Sequence, residues 1–372
     1  MIVVRALLLP CGGTWRREAC GFRFQLLRQL IKMKSGGDDG EDESSEEEED
    51  RSDCVGGERY MHAVLGALNQ VGDVVRSVFV SADGTRHGDD VFKVAVAPCS
   101  VQYEGLVFLS DFIKELRSID GAESYQRGLI ELMTELTNGV SLTMDYVSQP
   151  TFVSCAMLDL LGNFLKLMEL WRCKLRNDCM DAAYATWLEH CLVWLMHSSC
   201  TSTALQLLGG KKDLDSASQN AFVAASSRYP FLQKWFLYLT RLGVALLDAV
   251  STRAQCATGE QLRALGEFRS WTKQLQLPSR RQLFVVLAEQ DDVMIEVLNG
   301  LTRIAGLAHG DDRLAQWPSQ FAASMLDEFD PDNLFADLVD TLGQDHLVLL
   351  DFLVSNGKLT GFSRCACRTN RF

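Results

Sequence analysis

Apolar residues recur at helical spacing through most of this chain. From Gly105 to Arg117, Leu106, Leu109, Phe112, Ile113 and Leu116 share one face. Tyr125, Leu129, Leu132, Met133 and Leu136 do the same between Ser124 and Thr137, with Asn138-Gly139 as a stop signal. Thr151–Leu175 is apolar nearly all round, the pattern of a central helix. Asp178–His197 follows, carrying Trp187, Leu188, Val193 and Trp194. The spacing also predicts helices over Glu58–Gln70, Val71–Val80, 230–250 with Pro230 in its first turn, Gly259–Leu275, Ser279–Gln290, Asp292–Leu307 and Pro318–Glu328. Residues 81–101 and Gly209–Gln219 read as loops.

The last predicted pair is the most sharply punctuated. Asp330-Pro331 sets a capping carboxylate before a first-turn proline. Leu334, Phe335, Leu338, Val339 and Leu342 form a stripe, and Gly343 ends it. Asp345 caps a following helix whose Leu347, Leu349, Leu350 and Leu353 face inward. So short a connection makes the two antiparallel. Many helices with short connections predict a mostly α fold, an irregular α-solenoid of the armadillo or HEAT kind, with a globular helical bundle as the alternative.

Composition agrees with this. Hydrophobic residues make up 47% of the 372, enough for a sizeable core, and the 7 prolines are too few for a turn-rich β fold. The net charge of −13 is uneven. Asp38 to Asp53 hold eleven carboxylates and one arginine, a local −10, so the rest of the chain is only −3. That balance excludes a broad basic field for nucleic acid. Residues 1–57 read as a basic, then acidic, disordered tail, because GGDDGEDESSEEEED has too little apolar surface to offset chain entropy. The opening MIVVRALLLPCGG is a poor signal peptide, with Arg5 inside its apolar run. The basic stretch up to Lys34 suggests either a presequence or a translation start at Met33. The two most apolar stretches carry Asp159, Lys166 and Glu169, and Lys234, Arg241 and Asp248, which argues against membrane spans.

Candidate chemistry is sparse. Walker, dinucleotide, GxSxG and HExxH motifs do not occur. Gly209-Gly210-Lys211-Lys212 lacks the spacing of a phosphate loop and reads as surface. Cys179, His190, Cys191, His197 and Cys200 are the best zinc candidates, but buried free thiols explain the same text. No framework spacing joins the 12 cysteines, which fits a reducing compartment. Glu289, Asp291, Asp292 and Glu296 group four carboxylates. Capping explains them better than acid–base catalysis, since first-turn acids stabilise exposed amides by roughly 0.5–1 kcal/mol. Cys365 and Cys367 form a lone pair near Arg364, Arg368 and Arg371. Ser44 and Ser45 each have Glu three residues on, the pattern of acid-directed phosphorylation.

Two blocks resemble the Lines family of developmental regulators. In LFVVLAEQDDVMIEVLNGLTRIAGL, from Leu283, the matching residues are Glu289, Gln290, Asp291, Asp292, Met294 and Glu296. In FDPDNLFADLVDTLGQDHLVLLDFLVS, from Phe329, they are Leu334, Phe335, Asp345, His346, Leu349, Leu350, Asp351, Phe352, Leu353 and Ser355. The resemblance implies a helical Lines-like domain over 58–356, similar to armadillo stacks, with no enzymatic activity and no cofactor. It further implies a scaffold or regulator in Wnt/Wingless-type signalling. Such a protein would contact other proteins, including transcription or signalling factors, in nucleus and cytoplasm, without direct nucleic-acid or membrane binding. Exposed tryptophans among Trp187, Trp194, Trp235, Trp271 and Trp317 would serve as hot spots.

Residues 357–372, GKLTGFSRCACRTNRF, depart from the family pattern and read as a non-family tail, consistent with translated intron. The alternative from another class is a zinc protein or an enzyme with dispersed catalytic residues. Metal analysis separates them: purified protein is expected to hold no stoichiometric zinc, whereas one equivalent lost on Cys191→Ser would establish the metal reading.

Overall fold

The computed structural model describes residues 14–32, 60–79, 99–144, 152–175, 182–209, 220–251, 280–309 and 331–341, with 7, 263, 266, 267, 270 and 343 singly. Among these, all regular structure is helical. Two compact units are present. The first comprises residues 1–204 and 241–265, the second 205–240 and 266–372.

The first unit contains α1 (Thr14–Lys32), α2 (Leu68–Phe79), α3 (Cys99–Glu115), α4 (Gln126–Met144), α5 (Phe152–Leu175) and α6 (Ala182–His197), then the start of α7 (Ser199–Gly209). A short helical segment at 60–65 precedes α2. Helix α1 packs on α3 and α3 on α5, while α2 packs on α4 and α4 on α6. Each helix thus takes as its main partner the helix two along the chain.

Helix α5 is the most deeply buried element. Leu160, Leu161, Phe164, Leu167 and Trp171 are almost wholly enclosed. Its apolar circumference finds neighbours on every side, because apolar surface leaves water wherever another helix can meet it. Polar groups key the α3–α5 contact. Asn163 Nδ2 donates to Ser110 Oγ (3.0 Å), and Arg117 Nη2 donates to Asn163 Oδ1 (2.8 Å) and to its backbone oxygen (3.3 Å). Arg172 also pairs with Asp248 (2.5 Å).

Helix α1 departs from the expectation of a disordered tail over 1–57 at residues 14–32. Phe24, Leu27 and Ile31 are buried at 1% exposure, and Phe24 stacks on Phe108 of α3 (centroids 5.6 Å). A side chain at Gly105 of α3 would come within 3.1 Å of the Phe24 ring, so glycine there permits the close approach. The acid-rich residues 38–53 lie outside the described residues.

Other boundaries also differ from expectation. Helix α3 begins at Cys99, not Gly105, and the buried Val101 sits 3.6 Å from where a Gly21 side chain would stand. Helix α4 runs through Asn138-Gly139 to Met144, because one interior glycine costs only about 1 kcal/mol. Gly121, at φ 78°, instead takes the left-handed turn between α3 and α4. Pro230 lies inside α8 (Asn220–Ser251) rather than in its first turn. Burial of Phe231, Leu232, Trp235 and Leu239 just after it offsets the roughly 3 kcal/mol that an interior proline costs. Val193 points outward, against its assignment to the apolar set of α6.

The second unit holds α8 up to Thr240, α9 (Arg280–Leu287), α10 (Asp291–His309) and α11 (Pro331–Thr341). Helix α11 packs on both α9 and α10. Buried Gln233 ties α8 to α9, its Nε2 donating to the Val286 oxygen (2.9 Å). The loop at 210–219, the helices expected at Pro318–Glu328 and after Asp345, and the 357–372 tail lie outside the described residues.

Two substitutions test this packing. Phe24→Ala is expected to cost about 3–5 kcal/mol in denaturant unfolding of the full chain. An unchanged midpoint would mean that α1 is not part of the core. Asn163→Ala is expected to cost about 1–3 kcal/mol, since it strands the groups of Ser110 and Arg117 that face it.

Candidate functional site

The first Lines-like block forms a tight corner between α9 and α10. The Ala288 amide donates to the Phe284 oxygen (2.8 Å), and the Gln290 amide to the Leu287 oxygen (3.1 Å). The Gln290 oxygen then accepts from the amides of Val293 (3.1 Å) and Met294 (3.0 Å), which starts α10. Three residues reverse the chain, so Glu289, Gln290, Asp291 and Asp292 are all exposed. Met294 is fully buried and Glu296 half-buried. Asp291 and Asp292 occupy the first turn of α10, where the helix dipole favours negative charge.

The second block contributes α11. Pro331, Leu334 and Leu338 are buried. Phe335 is 41% exposed and Val339 half-buried, so the expected stripe is narrower than its five apolar positions. Gly343 has φ 68°, the left-handed conformation expected where a helix stops. Asp345, His346, Leu349, Leu350, Asp351, Phe352, Leu353 and Ser355 lie outside the described residues, as do Ser44 and Ser45.

Helix α9 adds Val285, which is 48% exposed. Sequence periodicity does not single this residue out, because outward valines and inward ones look alike in an apolar run. Across α9 to α11 and the corner, the described side chains include seven carboxylates: Glu289, Asp291, Asp292, Glu296, Asp332, Asp337 and Asp340. The cation among them is Arg303. The side chains of Arg280 and Arg281 on α9 lie outside the described ones, and the exposed described residues here include carboxylates together with the apolar Val285 and Phe335.

The structure does not gather the zinc candidates. Cys191 and Cys200 are buried, His190 is half-buried, His197 is exposed, and Cys179 lies outside the described residues. Among the described residues, no three His, Cys, Asp or Glu side chains come together. Burial pushes the Cys200 thiol up to about 11, partly offset by hydrogen bonds with Ser154 and Ser198, which disfavours the thiolate that binds metal. Trp187, Trp194 and Trp235 are buried, so none of these three is an exposed tryptophan of the kind expected to serve as a hot spot. Their rings serve packing instead, as where Trp187 meets Phe164 edge-on (centroids 4.8 Å). Trp271 and Trp317 lie outside the described residues.

Among the described residues the regular structure is helical, and the first Lines-like block turns carboxylates to solvent. Residues 173–359 match the family model described as Lines N-terminus, and the chain belongs to the Lines family. The match covers 187 of the 372 residues, including both blocks and α6 to α11. No curated protein and no solved structure matches the chain. Among the described residues, no helix is long and apolar enough to cross a membrane.

Cys200 gives a pH prediction. An ordinary thiol titrates near 9 and this one near 11, so between them the native state holds the extra proton. Stability is then full below pH 9 and falls by about 2–3 kcal/mol as pH rises to 11. Burial also raises the Tyr184 hydroxyl, so the loss continues above pH 10. Denaturant midpoints from pH 8 to 11 should fall less steeply for Cys200→Ala than for the wild type. Parallel curves would contradict the assignment.

Proposed function

We propose that this chain is a non-enzymatic scaffold or regulator, acting in developmental signalling of the Wnt/Wingless type in nucleus and cytoplasm. Its face at the α9–α10 corner and α11 binds other proteins. The observation carrying this reading is the exposure of Glu289, Gln290, Asp291, Asp292 and Phe335, family-type positions whose side chains point away from the core. Family membership supports the developmental role. The i, i+2 packing of α1 to α6 supports an irregular helical stack of the solenoid kind, in which outer ridges are free for partners.

A partner suited to this face carries a basic segment with apolar anchors. Opposite charge speeds encounter and fixes register, while Phe335 and Val285 supply desolvated contact. No observation favours the zinc-protein or enzyme reading.

The test compares proteins captured from cells by wild-type chain and by an Asp291→Lys, Asp292→Lys, Phe335→Ser variant. All three positions are exposed, so the fold is expected to hold by circular dichroism and thermal melting. Captured signalling or transcription factors should lose roughly tenfold in affinity. An unchanged partner set with unchanged affinity would contradict the assigned face.

A further inference from the structure

We propose that the outward edge of α11, Phe335 and Val339, is the docking site of the chain's own segment Leu347–Val354, folded back as the second arm of a helical hairpin. Helix α11 turns Pro331, Leu334 and Leu338 into its unit, where it packs on α9 and α10. Phe335 and Val339 stand one residue on from Leu334 and Leu338, about 100° round the helix. This second apolar stripe is not enclosed: Phe335 is 41% exposed and Val339 half-buried. At helical spacing Asp337 and Asp340 fall roughly 100° or more away from it, so a neighbour can cover the stripe without covering those carboxylates. Asp332 shares the side of Val339 but sits in the first turn, at the far end of α11 from the chain reversal.

The occupant follows from connectivity and apolar spacing. Helix α11 ends at Thr341, the Gly343 amide donates to the Asp340 oxygen (3.1 Å), and Gly343 takes φ 68°, so the backbone leaves the helix axis there. Leu347 follows Gly343 by four residues, at most about 14 Å of chain. Val339 precedes Gly343 by four, about one helical turn. The tether therefore holds the start of the segment within reach of the open edge. In LVLLDFLV one residue of eight is charged. At helical spacing Leu347, Leu350, Leu353 and Val354 share one face, with Asp351 outside it. In an antiparallel pair that reverses at Gly343, Leu347 stands level with Val339, while Leu350 and Leu353 bracket Phe335. So short a tether keeps the segment at an effective concentration of about millimolar over the edge, ahead of a free partner. One consequence rests on the partner face proposed above: the docked segment is its internal competitor, and a partner anchoring on Phe335 must displace it.

The test is photo-cross-linking of the full chain carrying Phe335→p-benzoylphenylalanine, read by peptide mass spectrometry. A larger aromatic ring at this exposed position leaves the buried stripe of α11 untouched. Adducts to residues 347–354 should exceed those to any other segment by about tenfold. Leu350→Asp combined with Leu353→Asp should lower them about tenfold, because docking would then strip water from charged groups. An equal mixture of light and ¹⁵N-labelled chains should give like-isotope adducts. Adducts mainly to other segments, adducts unchanged by the double substitution, or mixed-isotope adducts, the mark of a second copy on this edge, would each overturn the proposal. The cross-link is read with no partner present, so its failure and a failure of partner capture are separate results.

Discussion

The seam between α3 and α5 is the contact on which the first unit depends. Leu106, Leu109 and Phe112 of α3 are buried, α3 packs on a helix that is apolar nearly all round, and each such side chain removed from water stabilises the fold by roughly 1.5–3 kcal/mol. Apolar burial is not directional and would tolerate a slipped register. The Ser110–Asn163–Arg117 hydrogen bonds are directional, and a slip would leave them broken in a dry interior. Helix α1 then adds to the outer side of α3 through Phe24, and α2, α4 and α6 form the parallel series. Grease sets how strongly the helices stack, and a few polar groups set where.

Much of this was legible in the chain. Leu106, Leu109, Phe112, Ile113 and Leu116 were expected on one face, and all five are buried. The all-round apolarity of residues 151–175 marked the central helix. What escaped were features decided by partners distant in sequence. Phe24 and Ile31 sit in basic, acid-poor text that resembles a leader, and only the neighbouring Phe108 makes them core residues. Pro230 and Asn138-Gly139 are local stop signals worth a few kcal/mol at most, less than packing supplies. The outward turn of Phe335 was hidden because periodicity gives the centre of an apolar stripe better than its edges.

The same distinction governs function. Which tryptophans face solvent was not legible in the sequence, because large aromatic side chains mark cores as often as interfaces, and Trp187, Trp194 and Trp235 fill the core. The Lines-like strings were better guides. Among their described members Met294 and Leu334 are buried, while Glu289 and Gln290 in the corner, Asp291 and Asp292 at the start of α10, and Phe335 are exposed. Motif residues of the first kind account for why the helices pack. Those of the second kind are exposed, and two of them, Asp291 and Asp292, sit in the first turn of α10, where the helix dipole favours negative charge. Arg28, Lys32 and Lys114 surround Asp111 on α1 and α3, and the described carboxylates of the Lines-like blocks lie at the corner and on α10 and α11.

Amide hydrogen exchange on the full chain tests the stacked-helix account most directly. The account predicts that amides of Leu106–Ile113 and Met157–Trp171 exchange slowest, only through global unfolding, and that Phe24–Ile31 share much of that protection. Exchange within seconds across α3 and α5, at the rate of an unstructured peptide, would contradict it.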